Sequence, residues 1–373
     1  MSEGAPVTRD DPGEAVPVRD EDAFDVRAVE RWLRAHAADP AGLEGTPTVR
    51  QFPGGASNLT YLLSYPSRDV ILRRPPSGAK AHGAHDMLRE YTVQSRLRPL
   101  FPLVAEMVAY CGDRDVIGSD FYVMARIDGT ILRRDLPPGL SLSPQDARRL
   151  CTDLLDVLVA LHSIDPSAAG LDDLNRGTGY VARQVAGWSQ RFRAARTDDV
   201  GDYEEVMGWL DQHRPADRGS CVIHNDFRLD NVVLAGGGPV RIVGVLDWEM
   251  ATVGDPLMDL GGALAYWVQA DDEDAFRALR RQPTHLPGML TRAEMVEQYA
   301  VRTGLSITAE QWRFYEVFGL FRLGVIAQQI YYRYHHGQTT NEAYARFLPV
   351  VRHLEDRCRR LVREPAPRRT ANP

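Results

Sequence analysis

Four polar side chains carry the residue types and the spacing that chemistry on phosphates requires. The segment CVIHNDFRLDNVVL enters a polar turn from one apolar run, leaves it by another, and holds His224, Asp226 and Asn231. A glycine turn then returns the chain through GVLDWE to Asp247. Two carboxylates and a carboxamide at the end of one hairpin suit a hydroxyl, a magnesium ion and a triphosphate. Taken alone, the tripeptide from His224 to Asp226 also fits a structural turn, because Asn and Asp favour turns.

The composition predicts a globular protein with two or more compact units. The chain has 373 residues, 44% of them apolar, and its net charge of −7 is not the basic footprint of a nucleic-acid-binding protein. No apolar run approaches the length of a membrane span, and the acidic N-terminus differs from a secretory signal. We therefore expect a cytoplasmic protein without membrane association. The cysteines form no C-x-x-C pair and are expected to be reduced packing residues: Cys111, Cys151, Cys221 and Cys358.

A first lobe is predicted for residues 23–127, after a disordered acidic tail at residues 1–22. The tail is rich in proline and acid and has too few large apolar groups to fold. The lobe begins with an amphipathic helix at residues 24–37 and continues into a small sheet that carries one helix, at residues 86–97. Its strands are predicted near residues 49–53, 59–65, 69–74, 104–111 and 120–127.

A larger, mainly helical lobe is predicted for residues 128–363, followed by a disordered tail at residues 364–373. Ser143 and Pro144 form an N-cap and first-turn pair, and the sequence from Thr308 to Gln311 has the form of a capping box. Ligands favour the cleft between two such lobes. After the Ser143 helix, further helices are predicted at residues 180–195, 203–213, 257–269, 274–280, 292–302, 309–334 and 341–363.

The spacing H-x-D-x-x-x-x-N, followed by an aspartate at the end of the next strand, resembles that of protein-kinase-like phosphotransferases. The chain is most similar to the aminoglycoside phosphotransferase and choline kinase branch of that superfamily. Within this branch, HNDFRLDNVVL, GVLDWEMATVGDPLMDLG, LRRPPSG and REYTV resemble the kinase-like domain related to acyl-CoA dehydrogenase family members 10 and 11. The resemblance covers residues 24–350. It implies an α+β, bilobal protein-kinase-like fold with a small antiparallel sheet, one main helix and a mainly helical second lobe.

The resemblance also implies roles for the residues of the polar turn. Asp226 would orient the acceptor hydroxyl and take its proton, while Asn231 and Asp247 would hold magnesium. Arg228 either contacts the γ-phosphate as a catalytic residue or forms a surface ion pair. His224 braces the turn by hydrogen bonding or, in the less favoured alternative, transfers protons. Asp259, in the family's G-D-P-x-x-D-L element, would tie down the loop.

The nucleotide would be held by the first lobe. The glycine-rich turn suits phosphate oxygens, although two glycines are also an ordinary hairpin turn. Arg73 stands where the common kinase pattern has a lysine, with Glu90 as its partner and Lys80 as a weaker alternative for the cation. This substitution puts turnover mildly in doubt. The residues implied to bind the cofactor are Gly54, Gly55, Ser57, Asn58, Arg73, Glu90 and, in a hinge that binds adenine, Met124 and Arg126.

The leading functional hypothesis is transfer of the γ-phosphoryl group of ATP, with GTP not excluded, to a hydroxyl on a small molecule, with Mg²⁺. The acceptor is a hydroxyacyl-CoA or an aminoglycoside-like compound. An aromatic stripe at helical spacing is more often core than ligand surface, and the candidates for the acceptor pocket are Tyr266, Trp267, Arg322, Tyr331, Tyr332 and His335. The alternative hypothesis is a nucleotide-binding pseudokinase with a regulatory role, supported only by Arg73. Hydrolase chemistry is disfavoured, because neither H-E-x-x-H nor G-x-S-x-G occurs.

Overall fold

The computed structural model describes residues 15–53, 58–76, 86–236 and 240–364. The chain divides into two compact units that meet in sequence between Ile127 and Asp128. No helix among the described residues is both long enough and apolar enough to cross a membrane. All four cysteines lie in the described ranges, where they are buried and unpaired.

The first unit contains a five-stranded antiparallel sheet in the order β1-β2-β3-β5-β4. Its elements are α1 Val26–His36, β1 Thr48–Gln51, β2 Leu59–Ser64, β3 Asp69–Arg74, α2 Met87–Leu97, β4 Met107–Cys111 and β5 Phe121–Ala125. Successive side chains of a strand point to opposite faces of the sheet, so alternate residues pack into two different hydrophobic cores. Val70 and Leu72 of β3 pack with Val29 of α1, whereas Ile71 packs with Met87 of α2. The helices therefore cover opposite faces of the sheet.

The predicted disorder of residues 1–22 is wrong for residues 15–22. Val16 exchanges two backbone hydrogen bonds of 2.8 Å with Gln51, which extends the edge of the sheet beside β1. The carboxylate of Asp22 is buried and accepts a 2.8 Å hydrogen bond from Gln51 Nε2. Paired backbone and a satisfied carboxylate hold this acidic segment, together with Ala15 and Val18, which pack in the hydrophobic cores of the unit. Residues 1–14 lie outside the described ranges.

The second unit is mainly helical. Its helices are α3 Pro144–His162, α4 Tyr180–Ala195, α5 Glu204–Gln212, α6 Pro256–Leu264, α7 Asp274–Arg277, α8 Arg292–Thr303, α9 Ala309–His335 and α10 Phe347–Arg363. Its strands are β6 Thr130–Ile131, β7 Cys221–Ile223, β8 Val232–Leu234, β9 Ile242–Val245 and β10 Thr252–Gly254. They form a three-stranded sheet, β6-β8-β9, and a β7-β10 pair. The predicted fold class, a small antiparallel sheet followed by a larger helical unit, is confirmed.

The caps at two helix starts are as predicted. Ser143 accepts from the backbone of Asp146 at the start of α3, and Thr308 and Gln311 form the capping box of α9. Several predicted helix bounds are wrong, because turns replace residues at the end of two predicted helices and at the start of a third. α6 ends at Leu264 and α7 at Arg277, and residues 342–346 form a 3₁₀ turn before α10.

Two glycines set the distance between α6 and α9. A Cβ on Gly319 would lie 2.2 Å from the carbonyl oxygen of Gly261, and one on Gly261 would lie 2.6 Å from that of Tyr315. The two helices therefore cross with their backbones in contact. This crossing fixes α6, which supplies Asp259 to the candidate site.

Candidate active site

The polar turn between β7 and β8 is braced by the imidazole of His224. Its Nδ1 accepts the backbone N–H of Asp226 at 3.2 Å, so Nε2 carries the proton and donates to the carbonyl of Leu246 at 3.0 Å. The ring is fully buried, and its centroid lies 4.7 Å from that of Trp248. Both ring nitrogens bond to backbone, which suits a bracing residue and leaves neither nitrogen for proton transfer.

The same loop holds the segment that carries Asp247. The backbone N–H of Leu246 donates a 2.8 Å hydrogen bond to the carbonyl of Asn231, and the Leu246 carbonyl accepts the hydrogen bond from Nε2 of His224. Asp247 follows with a left-handed backbone, φ +67°, and leads into the 3₁₀ turn at residues 248–250. Positive φ is uncommon for a residue with a side chain and persists only where the surrounding structure enforces it.

Asp226 stands between an amide and a guanidinium. Asn231 Nδ2 donates to both the backbone carbonyl and Oδ2 of Asp226, at 2.9 Å each. Arg228 Nη2 lies 3.2 Å from the same Oδ2, and its guanidinium covers the ring of Tyr266 at 4.6 Å. The other carboxylate beside Arg228 is Asp230, whose Oδ1 is 3.1 Å from Nε. A basic group and an amide thus fix the direction of the Asp226 carboxylate.

The charge on Arg228 is stabilised in place. Burial acts to lower its pKa, but the carboxylates of Asp226 and Asp230 outweigh burial and raise the pKa above its ordinary value. Arg228 therefore stays cationic next to Asp226, as a contact for a phosphoryl group requires. The side chain is 13% exposed, so the alternative of an ordinary surface ion pair describes it poorly.

Asp259 of α6 anchors the turn from behind. Its carboxylate accepts the backbone N–H groups of His224 and Asn225, at 2.7 and 2.8 Å, and the ring Nε2 of His162 at 3.2 Å. His162 Nδ1 is in turn 2.7 Å from the hydroxyl of Tyr299. Burial alone would raise the pKa of Asp259, but these hydrogen bonds and the charge of His162 hold it below the ordinary value.

Asn225 connects the turn to three further elements. Its backbone is left-handed, φ +64°, and its carbonyl accepts a 2.8 Å hydrogen bond from Arg322 Nη2 of α9. Its side chain donates to the carbonyl of Met250 and accepts from the hydroxyl of Tyr180. Sequence reasoning placed Arg322 in the acceptor pocket, because a contact to a backbone carbonyl leaves no residue pattern. It missed Tyr180, whose hydroxyl reaches the Asn225 side chain across 45 residues of sequence.

The first unit brings together three of the residues predicted to bind the nucleotide. Arg73 Nη1 lies 3.7 Å from Glu90 Oε2, and Asn58 Nδ2 donates to Glu90 Oε1 at 2.9 Å. The hydroxyl of Tyr122, which sequence reasoning missed, donates to Glu90 Oε2 at 2.7 Å. Burial raises the pKa of Tyr122, so it remains a donor. Glu90 is 2% exposed and is held by an amide, a phenol and the guanidinium of Arg73.

The other residues predicted to bind the nucleotide either lie outside the described residues or make contacts within the first unit. Gly54, Gly55, Ser57 and Lys80 lie outside the described residues. Met124 is buried in β5, and Arg126 Nη1 forms a 2.7 Å ion pair with Asp69. The backbone N–H of Ala125 donates to Glu106 at 2.8 Å. At the predicted hinge, this backbone donor is therefore used inside the unit.

The aromatic residues considered for an acceptor pocket do not share one site. Tyr266 lies beneath Arg228, whereas Trp267 is buried and donates to the carbonyl of Leu290 at 2.8 Å. Tyr331 and His335 lie beside Asp199. Trp267 is thus a core residue, and Tyr331 and His335 are accounted for by their contacts with Asp199.

The donor set of the site suits a hard cation. Because Nδ2 of Asn231 faces Asp226, the amide oxygen of Asn231 is turned away from that carboxylate. This oxygen and the carboxylate of Asp247 are the ligand types that magnesium prefers. Asn231 and Asp247 are thus the residues that would hold it.

Comparisons with known proteins agree with the sequence pattern. The model of the phosphotransferase enzyme family matches residues 48–295. Acyl-CoA dehydrogenase family member 11 of Rattus norvegicus is 32% identical over 340 residues, which is 90% of this chain and 42% of that protein. Family member 10 of Mus musculus is 32% identical over 91% of this chain and 30% of that protein. The chain thus spans less than half the length of these relatives.

Solved structures share the fold. A candidate aminoglycoside phosphotransferase from Ralstonia eutropha superposes with a TM-score of 0.76 and 30% identity, over 91% of this chain and 98% of that one. A macrolide 2′-phosphotransferase type I superposes with a TM-score of 0.55 and 20% identity, over 90% and 98%. The family match and the relatives lead to one conclusion: the chain belongs to the phosphotransferase enzyme family.

Proposed function

We propose that this protein transfers the γ-phosphoryl group of ATP to a hydroxyl of a small molecule and requires magnesium. The observation that carries the proposal is the Asp226 carboxylate, held at 2.9 Å by Asn231 and at 3.2 Å by Arg228. A carboxylate fixed in this way can orient a hydroxyl and accept its proton, while positioning and charge stabilisation supply most of the catalysis.

Each residue of the turn has a task in this proposal. Asp226 accepts the proton of the acceptor hydroxyl, and Arg228 places positive charge where the transferred phosphoryl develops negative charge. Asn231 and Asp247 hold magnesium, which would neutralise charge on the phosphates. His224 and Asp259 act on the backbone of the turn and do not touch the reacting atoms.

Nucleotide binding is assigned to the first unit. Arg73, oriented by Glu90, would contact the α- and β-phosphates, and its planar fork suits phosphate oxygens. Asn58 is proposed to support Glu90, to which its amide donates a 2.9 Å hydrogen bond. A solved neighbour, at 16% identity, is a ternary complex with AMP-PNP and hygromycin B, which supports ATP as the phosphoryl donor in this fold.

The acceptor is proposed to be a hydroxylated acyl-CoA. The relatives at 32% identity are named for acyl-CoA dehydrogenation, and this chain matches 42% and 30% of their lengths. An aminoglycoside remains the second acceptor, because the structure from Ralstonia eutropha carries that name at 30% identity.

Labelled ATP offered with hydroxylated acyl-CoAs, aminoglycosides and macrolides tests the proposal. Wild-type protein is expected to phosphorylate at least one class, and Asp226→Ala to lose this activity while still binding ATP. Equal rates for the two proteins would contradict the assignment of Asp226. ATP binding without transfer to any class would favour the pseudokinase alternative.

A further inference from the structure

A basic groove opens in the second unit next to the catalytic turn. Its volume is about 710 Å³, and it is lined by Asp230 of the polar turn and by three further segments far apart in sequence. Arg133 and Arg134 follow β6, residues 275–281 include α7 and its following turn, and residues 343–353 lead into α10. The groove is therefore a product of the tertiary fold.

The charge of the groove is strongly one-sided. The arginines that line it are Arg133, Arg134, Arg280, Arg281 and Arg346. Among the described lining residues Asp230 is the one carboxylate, and Arg228 lies 3.1 Å from it. Arg280 is paired with Asp135 at 2.7 Å. Positive charge still prevails, although the whole chain has a net charge of −7. Guanidinium groups match phosphate oxygens in geometry as well as charge.

Apolar side chains lie between the arginines. They are contributed by both helical segments and comprise Ala278, Leu279, Phe347, Pro349 and Val350. A groove with charged and apolar parts suits an anion that also carries an apolar arm. A polycation such as an aminoglycoside would meet like charge there.

The groove connects to the catalytic carboxylate through two residues. Asp230 lines the groove and lies between Arg228 and Asn231 in the turn. Arg228 contacts Asp230 through Nε and Asp226 through Nη2, at 3.1 and 3.2 Å. On the groove side, Arg133 Nη1 donates to the Asp230 carbonyl at 3.4 Å. A ligand anchored by the arginines thus lies next to the turn that would perform the transfer.

We propose that this groove binds the phosphate groups of the acceptor, and that the acceptor is carried on coenzyme A. The inference rests on the proposed function, because it assigns a place to the acceptor of the same site. It adds the residues that recognise the acceptor. The arginines hold the phosphorylated nucleotide end of coenzyme A, and the apolar side chains of the groove hold the arm that extends from it.

Calorimetric titration of coenzyme A into the protein saturated with AMP-PNP and magnesium tests the proposal. Arg281→Glu and Arg346→Glu are each expected to weaken binding roughly tenfold or more, since each loses a charge-assisted contact. Arg176→Glu makes the same charge change at an exposed residue that does not line the groove and should bind as wild type does. Arg281→Lys should recover part of the affinity.

Three outcomes would overturn the proposal: no binding of coenzyme A by wild type, equal weakening by Arg176→Glu, or competition between coenzyme A and AMP-PNP. Competition would place coenzyme A in the nucleotide site. The titration needs no turnover, so it separates this inference from the proposed function. Binding of coenzyme A by a protein that never transfers phosphate would refute the function and retain the groove. Transfer only to acceptors without phosphate would retain the proposed function and refute the assignment of the groove.

Discussion

The side-chain amide of Asn231 donates to both the backbone carbonyl and the carboxylate of Asp226, at 2.9 Å each. One residue therefore orients the proposed base and turns its own amide oxygen, a proposed magnesium ligand, away from that carboxylate. Substitution of Asn231 should affect both tasks.

We predict that Asn231→Ala lowers turnover roughly a hundredfold or more, because it removes an oriented hydrogen bond and a magnesium ligand. The magnesium concentration for half-maximal rate should rise. Steady-state rates at a series of magnesium concentrations measure both effects, with exposed Asn175→Ala as the matched control. Unchanged magnesium dependence would remove Asn231 from the proposed metal site.

Replacing His224 should destabilise the turn and leave the shape of the pH dependence of activity unchanged. In His224→Ala the backbone N–H of Asp226 and the carbonyl of Leu246 lose their buried partner, at a cost of about 2–4 kcal/mol in the free energy of unfolding. Urea unfolding measures this loss, and the pH profile of the residual activity should keep its shape. A profile that loses one inflection would instead identify His224 as a proton-transfer group.

Arg73 and Glu90 should govern nucleotide affinity. Arg73→Met is expected to raise the KM for ATP about tenfold or more, since a charge-assisted contact to phosphate is lost. Arg73→Lys should have a smaller effect. Tyr122→Phe removes the 2.7 Å hydrogen bond to Glu90 but leaves the pair of charges, so it should change KM less than Arg73→Met. Equal KM for Arg73→Met and wild type would exclude the phosphate contact.

The helix crossing at Gly319 makes a prediction about stability. Gly319→Ala places a methyl group against the carbonyl of Gly261 and should destabilise the protein by about 1–3 kcal/mol or more. Gly208→Ala, in α5, is the matched control. A Cβ there meets nothing within 4 Å, so helix propensity should make it neutral or stabilising by up to about 1 kcal/mol. Thermal unfolding distinguishes the two, and equal melting temperatures would contradict the close crossing.

Asp259 should make stability depend on acid pH. Its folded-state pKa is below the ordinary value, so its contribution is present above the unfolded pKa, about 4, and is lost as pH falls through the folded value. Asp259→Asn should lose about 3 kcal/mol at pH 7, and its deficit should narrow below about pH 4. Urea unfolding between pH 7 and pH 3 measures this deficit. Exposed Asp211→Asn, paired with Arg214 at 2.9 Å, should change stability little. A constant Asp259→Asn deficit would contradict the role of its charge.

Local patterns predicted much of this structure. The strands β2 and β3 and the caps at Ser143 and Thr308 depend on neighbouring residues, and they appear where expected. The pairing of Arg73 with Glu90 followed from the resemblance to the kinase pattern, which places a cation in the third strand and its partner in the helix.

Contacts between distant segments could not be predicted in the same way. Arg322 reaches the carbonyl of Asn225 across 97 residues, and a backbone acceptor has no residue type to indicate it. The basic groove joins Arg133 to Arg346 only after folding. Disorder at residues 15–22 was predicted from composition, but backbone pairing with Gln51 is independent of composition.

Leu246 has both of its backbone groups tied to the catalytic turn, one to His224 and one to Asn231. A displacement of the neighbouring Asp247 that carried Leu246 with it would break two hydrogen bonds at once. The entropy of aligning the two loops is therefore lost during folding and is not lost again when a substrate binds.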